Sequence, residues 1–164
     1  EPLGFTVKQI KVGHTFLTLA AKQEKSPLGI ESSGHIILPE YFLFDDALVV
    51  PFKIAEILDK TKKTLEELAA EIPTYPIRKE EIDCPDEIKF DVIKRLKDTF
   101  TQEFENINTL DGIRVELDEG WALLRPSNTS PLIRLTVEAD NEKLLDQLAE
   151  KFMNRTTEVI ETMK

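Results

Sequence analysis

The fold of the second half of this chain is predicted from the stretch WALLRPSNTSPLIRLTV, residues 121–137, and from the segments around it. The apolar runs at 121–125 and 131–138 predict two strands, and the polar residues between them predict the connecting loop. The other elements predicted around this pair are an extended run at 75–82, a helix at 86–104, a strand at 112–118 and a helix at 141–163. In that order they predict an α+β module, in which two helices cover one face of a small antiparallel sheet.

The first half of the chain predicts a different set of elements. They are a strand at 5–12, a helix at 14–25, a strand–loop–strand unit at 27–38, and helices at 45–61 and 64–72. Asp45 or Asp46 is expected to cap the helix at 45–61. Thr64 and Glu67 have the spacing of a capping box, which predicts the start of the next helix.

A domain boundary is predicted where the sequence PTYPIRKEEIDCP, residues 73–85, brings together three prolines and a cluster of charges. We therefore expect two domains, 1–72 and 73–164. The first would begin on a strand that has no preceding partner, so an incomplete α/β domain is expected there. The second would be the α+β module.

The composition limits the classes of protein to consider. The chain has 164 residues, a hydrophobic fraction of 41%, a charged fraction of 32% and a formal net charge of -10. This balance is typical of a globular protein, and no apolar run approaches the ~18 residues that a membrane span needs. The negative charge argues against binding to nucleic acid or to an anionic membrane. The single cysteine, Cys84, excludes an internal disulfide, and we expect a cytoplasmic protein.

The loop RPSNTSPLIR, residues 125–134, is a candidate phosphate-binding site. It offers the guanidinium of Arg125, the polar side chains of Ser127, Asn128 and Thr129, and backbone N–H groups, which together suit a phosphate dianion. No Asp or Glu occurs between 121 and 137, which predicts a locally cationic patch. The alternative is a turn that only reverses the chain, with its arginines as surface charges.

A second candidate loop is GIESSGH, residues 29–35. On an extended stretch Glu31 and Ser33 would point to the same side, and a carboxylate beside a hydroxyl can bind adjacent sugar hydroxyls. Gly34 permits a positive φ angle or a close approach of the backbone. A glycine-containing turn with a capping serine is the alternative interpretation.

Both histidines of the chain, His14 and His35, directly follow a glycine, and both lie near these first-half motifs. A histidine can carry a proton near neutral pH or, when protonated, bind phosphate. The segment from 2 to 23 also holds Lys8, Lys11 and Lys22 without any acid. A structural or surface role for the two histidines is the alternative.

Three motifs together resemble the α-D-phosphohexomutase family. RPSNTSPLIRLTVEAD (125–140) resembles the C-terminal phosphate-binding loop of that family, and GIESSGHIILPEYFLFDDALVV (29–50) resembles its sugar-binding loop. IKVGHTFL (10–17) is similar to the segment that precedes the sugar-binding loop, and the motifs follow the order found in the family. The resemblance implies that residues 1–72 are the later part of a third, α/β domain, and residues 73–164 the fourth domain, of a phosphomannomutase or phosphoglucomutase.

The resemblance also implies roles for individual residues. The phosphate of the substrate would be held by Arg125, Ser127, Asn128 and Thr129, with Arg134 nearby. Sugar hydroxyls would be bound by Glu31 and Ser33. The cleft would be lined by His14, His35 and Lys11, which would contact phosphate or transfer protons. One departure is Ile30, which stands where the family often has a second glycine.

Members of the family are isomerases of carbohydrate metabolism that move phosphate between the 1- and 6-positions of a hexose. The resemblance therefore implies a phosphoserine enzyme, a hexose 1,6-bisphosphate intermediate and activator, and Mg²⁺ on an aspartate loop. Neither the phosphoserine loop nor the aspartate loop occurs in this sequence, and we interpret FDD (44–46) as a helix start.

We therefore expect a hexose phosphate and missing N-terminal domains as partners, a metal held outside this chain, and no catalysis by this chain alone. The alternative is a stand-alone phosphosugar-binding or regulatory module without catalysis.

Overall fold

The computed structural model describes residues 4–163. It divides into two compact units, one ending at Pro73 and one beginning at Thr74. None of the helices in the described range is both long enough and apolar enough to cross a membrane.

From residue 4 onward, the first unit contains three helices and three short strands. In chain order they are α1 (His14–Gln23), β1 (Gly29–Ile30), β2 (Ile36–Leu38), β3 (Phe42–Asp45), α2 (Val49–Thr61) and α3 (Leu65–Ala69). The strands form an antiparallel sheet in the order β1-β2-β3. Helix α1 buries Leu17 and Ala21, and Leu17 approaches Gly29 so closely that a Cβ there would lie 3.2 Å from it. The strand residue Ile37 is fully buried.

Two of the elements predicted for this unit differ in the structure, and one helix start is as predicted. Residues 5–12 form no strand, so that prediction is wrong. Helix α2 begins at Val49 rather than at 45, because Phe42–Asp45 pairs with β2 as a third strand. Asp46 nevertheless accepts a hydrogen bond from the backbone N–H of Leu48 at 2.9 Å, next to the helix start. The capping box of Thr64 and Glu67 is confirmed.

The second unit is built on a five-stranded antiparallel sheet. Its elements are β4 (Ile77–Asp83), α4 (Lys89–Glu103), β5 (Ile107–Asn108), β6 (Ile113–Leu117), β7 (Gly120–Pro126), β8 (Leu132–Ala139) and α5 (Glu142–Met163). The strand order is β4-β8-β7-β6-β5. The α+β fold with an antiparallel sheet is confirmed, and β5 is an additional short edge strand that the sequence did not predict.

The core of this unit lies between the sheet and the two helices. Alternate residues of β8, namely Ile133, Leu135, Val137 and Ala139, are buried, because successive side chains of a strand point to opposite faces. Helices α4 and α5 contribute buried side chains such as Phe100 and Phe152. The intervening residues of β8 lie on the other, more exposed face of the sheet. Arg134 therefore points to this open face, as does Arg125 on β7.

Candidate functional site

The loop between β7 and β8 is organised around a buried serine. Ser127 is 2% exposed, and its Oγ accepts hydrogen bonds from the backbone N–H groups of Thr129 (3.3 Å) and Ser130 (3.2 Å). Its own N–H donates to the carbonyl oxygen of Leu132 at 3.0 Å. Asn128 and Thr129 are exposed at the tip of the loop. The buried hydroxyl of Ser127 thus holds the backbone of the loop in place, while the side chains of Asn128 and Thr129 are exposed to solvent.

Two arginines stand at the base of this loop. Arg125 of β7 is directly opposite Arg134 of β8 in the strand register, and both side chains lie on the open face. Like charges directly opposite each other in a sheet repel. An anion bound between the two guanidinium groups would remove that repulsion.

The patch around the arginines is less cationic than the sequence predicted. Arg134 pairs with Glu81 of β4 at 2.9 Å, and Arg125 lies 4.0 Å from the carboxylate of Asp111. The stretch from 121 to 137 contains no acid, but the sheet brings acids from other segments beside it. The absence of acids from this stretch therefore does not make the patch as cationic as predicted, because strand pairing, and not position in the sequence, sets which charges are neighbours.

The position of Arg125 depends on a glycine that the sequence reading did not single out. Gly112 has a φ of +84°, and a Cβ added to it would lie 2.8 Å from the Cβ of Arg125 and closer still to the carbonyl oxygen of Leu124. Only glycine meets both requirements. The adjacent Asp-Gly pair at 111–112 is a turn signal that could have pointed to this position.

The opposite side of the loop is held by the segment from Cys84 to Lys89. The Cys84 N–H donates to the carbonyl oxygen of Pro131 at 3.0 Å. Lys89, the first residue of α4, is 5% exposed, and its Nζ donates to the carbonyl oxygen of Ser130 at 3.1 Å and to Asp86 at 2.7 Å. Lys89 and Ser130 are 41 residues apart in the chain, so no local sequence signal could have found this contact.

The candidate loop of the first unit is the turn between β1 and β2. The Glu31 N–H donates to the carbonyl oxygen of His35, and the Gly34 N–H donates to that of Glu31, both at 2.9 Å. Gly34 takes a positive φ of +96°, as the sequence suggested. Because residues 31–34 form a turn, Glu31 and Ser33 do not lie on an extended stretch, and that part of the prediction is wrong. Ser33 is exposed and Glu31 is half-buried.

His35 is held by an aspartate at the end of β3. Its Nδ1 and the Oδ2 of Asp45 are hydrogen-bonded and form an ion pair when the ring is protonated. The other carboxylate oxygen of Asp45 accepts a hydrogen bond from the Ile36 N–H at 3.1 Å. The hydrogen bond to Asp45 raises the pKa of His35, and the negative charges of Asp45 and Glu31 act in the same direction. The hydrogen bond from His35 lowers the pKa of Asp45. FDD (44–46) is therefore not a helix start: Asp45 belongs to a strand and positions a histidine.

The structure brings the two histidines together. The ring centroids of His14 and His35 are 5.8 Å apart, and His14 lies 6.3 Å from the ring of Phe44 in an edge-on arrangement. His14 is the first residue of α1 and is exposed. Lys11 is also exposed, in the segment leading to that helix. Within residues 4–163, no group of three or more His, Cys, Asp or Glu side chains is arranged to hold a metal ion.

Comparison with known protein families shows two matches. Residues 1–75 match the model for the alpha/beta/alpha domain III of phosphoglucomutase/phosphomannomutase. Residues 81–155 match the model for the C-terminal domain of the same proteins.

Individual relatives agree with these matches. A probable phosphoglucosamine mutase from Methanopyrus kandleri is 36% identical over 162 residues, which are 99% of this chain and 36% of the relative. A phosphomannomutase/phosphoglucomutase from Pseudomonas putida is 36% identical over 151 residues, 91% of this chain and 33% of the relative. The chain therefore spans about a third of the length of these two relatives.

A solved structure has the same fold. The crystal structure of a phosphoglucomutase/phosphomannomutase family protein from Burkholderia thailandensis superposes with a TM-score of 0.77 at 25% identity. The match covers 92% of this chain and 32% of that one.

Proposed function

This chain belongs to the phosphoglucomutase/phosphomannomutase family, and we propose that it supplies the hexose-phosphate recognition of a phosphohexomutase. The observation that carries this proposal is the arginine pair, Arg125 opposite Arg134, at the base of the preformed loop around Ser127. The domain assignment, residues 1–72 and 73–164, is part of the same proposal.

The arginine pair is suited to exchange its present partners for a phosphate. The Arg134–Glu81 pair is solvent-exposed, with side-chain exposures of 42% and 57%, and such a pair stabilises a protein by only about 0–1 kcal/mol. A hydrogen bond between a charged donor and a phosphate oxygen contributes about 1.5–3 kcal/mol. A phosphate dianion can therefore displace the carboxylate of Glu81. Asn128 and Thr129 at the loop tip would donate further hydrogen bonds to it.

The turn at 31–34 is proposed to bind the sugar. The carboxylate of Glu31 can accept hydrogen bonds from hydroxyls, and Ser33 can donate or accept. The names of the relatives include glucosamine, mannose and glucose phosphomutases, which supports a hexose or hexosamine phosphate as the substrate class. An ammonium group at the 2-position of an amino sugar would also pair favourably with Glu31.

His35 is proposed to handle a proton at the reacting end of the sugar. Its Nδ1 is bound to Asp45, which fixes the ring orientation and leaves Nε2 as the group that can meet a substrate. The raised pKa keeps the ring protonated to a higher pH than an ordinary histidine. It can therefore donate a proton to a leaving oxygen or pair with a phosphate. His14 and Lys11 are proposed to contribute to the same end of the site.

In the mutase that we propose, phosphate moves between the 1- and 6-positions by way of a phosphoserine and a hexose 1,6-bisphosphate. Mg²⁺ and the phosphoserine are proposed to belong to the part of the relatives that this chain does not span. This chain would bind and orient the substrate, and orientation alone lowers the barrier of a transfer reaction. It would not catalyse the transfer by itself.

The test is binding of glucose 6-phosphate to this chain and to Arg125→Ala. We expect the variant to lose about 2 kcal/mol of binding free energy, because it removes a charge-assisted contact to the phosphate. Arg95→Ala removes the same charge from an exposed site on α4 and serves as the matched control. Calorimetric titration gives both affinities. Equal affinities for Arg125→Ala and Arg95→Ala would contradict the proposal.

A further inference from the structure

A buried lysine outside the proposed phosphate-binding motif contacts the β7–β8 loop from the side of the helices. Lys89 begins α4, and its side chain is only 7% exposed. A lysine is almost never buried unless its charge is paired, because removing an ammonium group from water is costly. The carboxylate of its partner Asp86 is 62% exposed, so this ion pair could form without burying the lysine. The Nζ of Lys89 also lies 5.5 Å from the ring centroid of Phe90, a side chain that is itself exposed. A reason for burying Lys89 must therefore be sought in its other hydrogen bond.

The other hydrogen bond is with the backbone of the loop. Lys89 Nζ donates to the carbonyl oxygen of Ser130, which also accepts the Leu132 N–H at 2.8 Å. The N–H of the same Ser130 donates to the Oγ of Ser127. Ser130 is thus fixed at both its N–H and its carbonyl group, once by the buried serine and once by the buried lysine.

We propose that Lys89 is a positioning residue for the phosphate-binding loop, an inference that rests on the proposed function of that loop. Lys89 acts through the loop and not on the ligand, because two of its three N–H donors are used by Asp86 and Ser130 and its side chain is enclosed. Its hydrogen bond orients the peptide that follows Ser130. The positive charge behind the loop additionally favours an anion in front of it.

The cationic residues around the loop have two different roles in this proposal. Arg125 and Arg134 lie on the open face, where they can touch an anion directly. Lys89 lies on the helix side and holds the loop that carries Asn128 and Thr129. Removing Lys89 should therefore weaken anion binding without removing any group that contacts the anion.

The experiment is an NMR titration of the chain with inorganic phosphate, comparing the unchanged protein with Lys89→Met and Lys94→Met. Lys94 is exposed on the same helix, so its variant is the matched control for the loss of one positive charge. We expect Lys89→Met to bind phosphate about tenfold more weakly, and Lys94→Met to bind as the unchanged protein does. The amide signals of Thr129 and Ser130 should also shift in Lys89→Met before any phosphate is added. A lysine that only stabilised the fold would lower the melting temperature and leave the affinity of the folded protein unchanged.

Two further measurements keep the test decisive. Lys89→Gln retains an N–H donor, one bond closer to the backbone than Nζ, and we expect it to restore part of the lost affinity. In the unchanged protein, phosphate should shift the side-chain ammonium signal of Lys89 but not that of Lys94, a readout that needs no variant to fold. An affinity of Lys89→Met within about twofold of the unchanged protein, or an unmoved Lys89 signal at saturating phosphate, would overturn the inference. Absence of any phosphate binding by the unchanged protein would instead overturn the proposed function, and this inference with it.

Discussion

The two units of this chain support their candidate loops in different ways. In the second unit the sheet and helices enclose a continuous core that includes Phe100, Leu135 and Phe152. In the described part of the first unit, the buried apolar side chains are Leu17, Ala21 and Ile37. The same unit exposes large apolar side chains, namely Phe42 at 62%, Phe44 at 49% and Phe52 at 78%.

This difference extends to the loops themselves. The loop at 127–131 is held by the buried side chains of Ser127 and Lys89, which belong to the better-packed unit. The turn at 31–34 is held by backbone hydrogen bonds of a short hairpin and, next to it, by the pair of His35 and Asp45. A loop is no more rigid than the unit that supports it, because local opening requires little free energy where few apolar contacts are made. We therefore expect the loop at 127–131, the proposed phosphate site, to be preformed in this chain, and the turn at 31–34, the proposed sugar site, to be adaptable.

The largest expected effect contrasts two phenylalanines. Phe152 is 1% exposed and packs against the rings of Phe100 and Phe104, so Phe152→Ala should reduce the free energy of unfolding by about 3–5 kcal/mol. Phe52 is 78% exposed, and Phe52→Ala should change the free energy of unfolding by less than about 0.5 kcal/mol. Denaturant unfolding followed by the fluorescence of Trp121 reports the second unit, and circular dichroism reports the whole chain. A larger loss for Phe52→Ala than for Phe152→Ala would show that the first unit, and not the second, depends more on its apolar side chains.

The next effect contrasts two glycines with positive φ. Gly112→Ala should cost about 2–4 kcal/mol, because it adds a collision with the strand that carries Arg125 to the strain of the backbone. Gly34→Ala should cost only about 1–2 kcal/mol, since its φ is +96° but nothing lies within 4 Å of the added Cβ. Amide exchange measured in each unit separates the two costs. Equal costs would mean that the close approach at Gly112 is not a constraint.

The smallest effect concerns the His35–Asp45 pair. Because Asp45 raises the pKa of His35, Asp45→Asn should lower that pKa. The pair stabilises the hairpin while His35 is protonated and Asp45 is ionised. Its contribution is lost as pH rises through the raised pKa of His35, and lost again as pH falls through the lowered pKa of Asp45.

An NMR titration of the His35 ring protons measures this change directly. Asp46→Asn is the matched control, since Asp46 accepts from the Leu48 N–H and should leave the His35 titration nearly in place. An unchanged His35 pKa in Asp45→Asn would show that the hydrogen bond does not form in solution.

Local sequence patterns predicted the second unit well. The strands β7 and β8 and the helix α5 follow from alternation and helical periodicity. In the first unit, the capping box at Thr64 follows from residue spacing. The prediction of a strand at 5–12 is wrong. Alternating apolar residues indicate a strand only where a neighbouring strand is available for pairing. The strand at 42–45 was interpreted as a helix start, since its two aspartates look like caps.

The candidate site was predicted in part. Local motifs indicated the loop residues 125–129 and the turn at 31–35, whose role in binding stays a prediction. The partners of these residues, namely Glu81, Lys89 and Asp111, come from distant positions and become neighbours only through the pairing of strands and the packing of α4. A reading of local sequence cannot supply such contacts.

The most direct test of the division between the two loops is amide shift mapping of the unchanged chain with glucose 6-phosphate, inorganic phosphate and glucose. We expect inorganic phosphate to shift the amides of residues 125–134 more strongly than those of residues 31–35. Glucose 6-phosphate should shift residues 125–134 most strongly and add shifts at residues 31–35. Shifts caused by inorganic phosphate at 31–35 with none at 125–134 would contradict the proposed assignment of the two loops, because the loop of the better-packed unit would then not be the phosphate site.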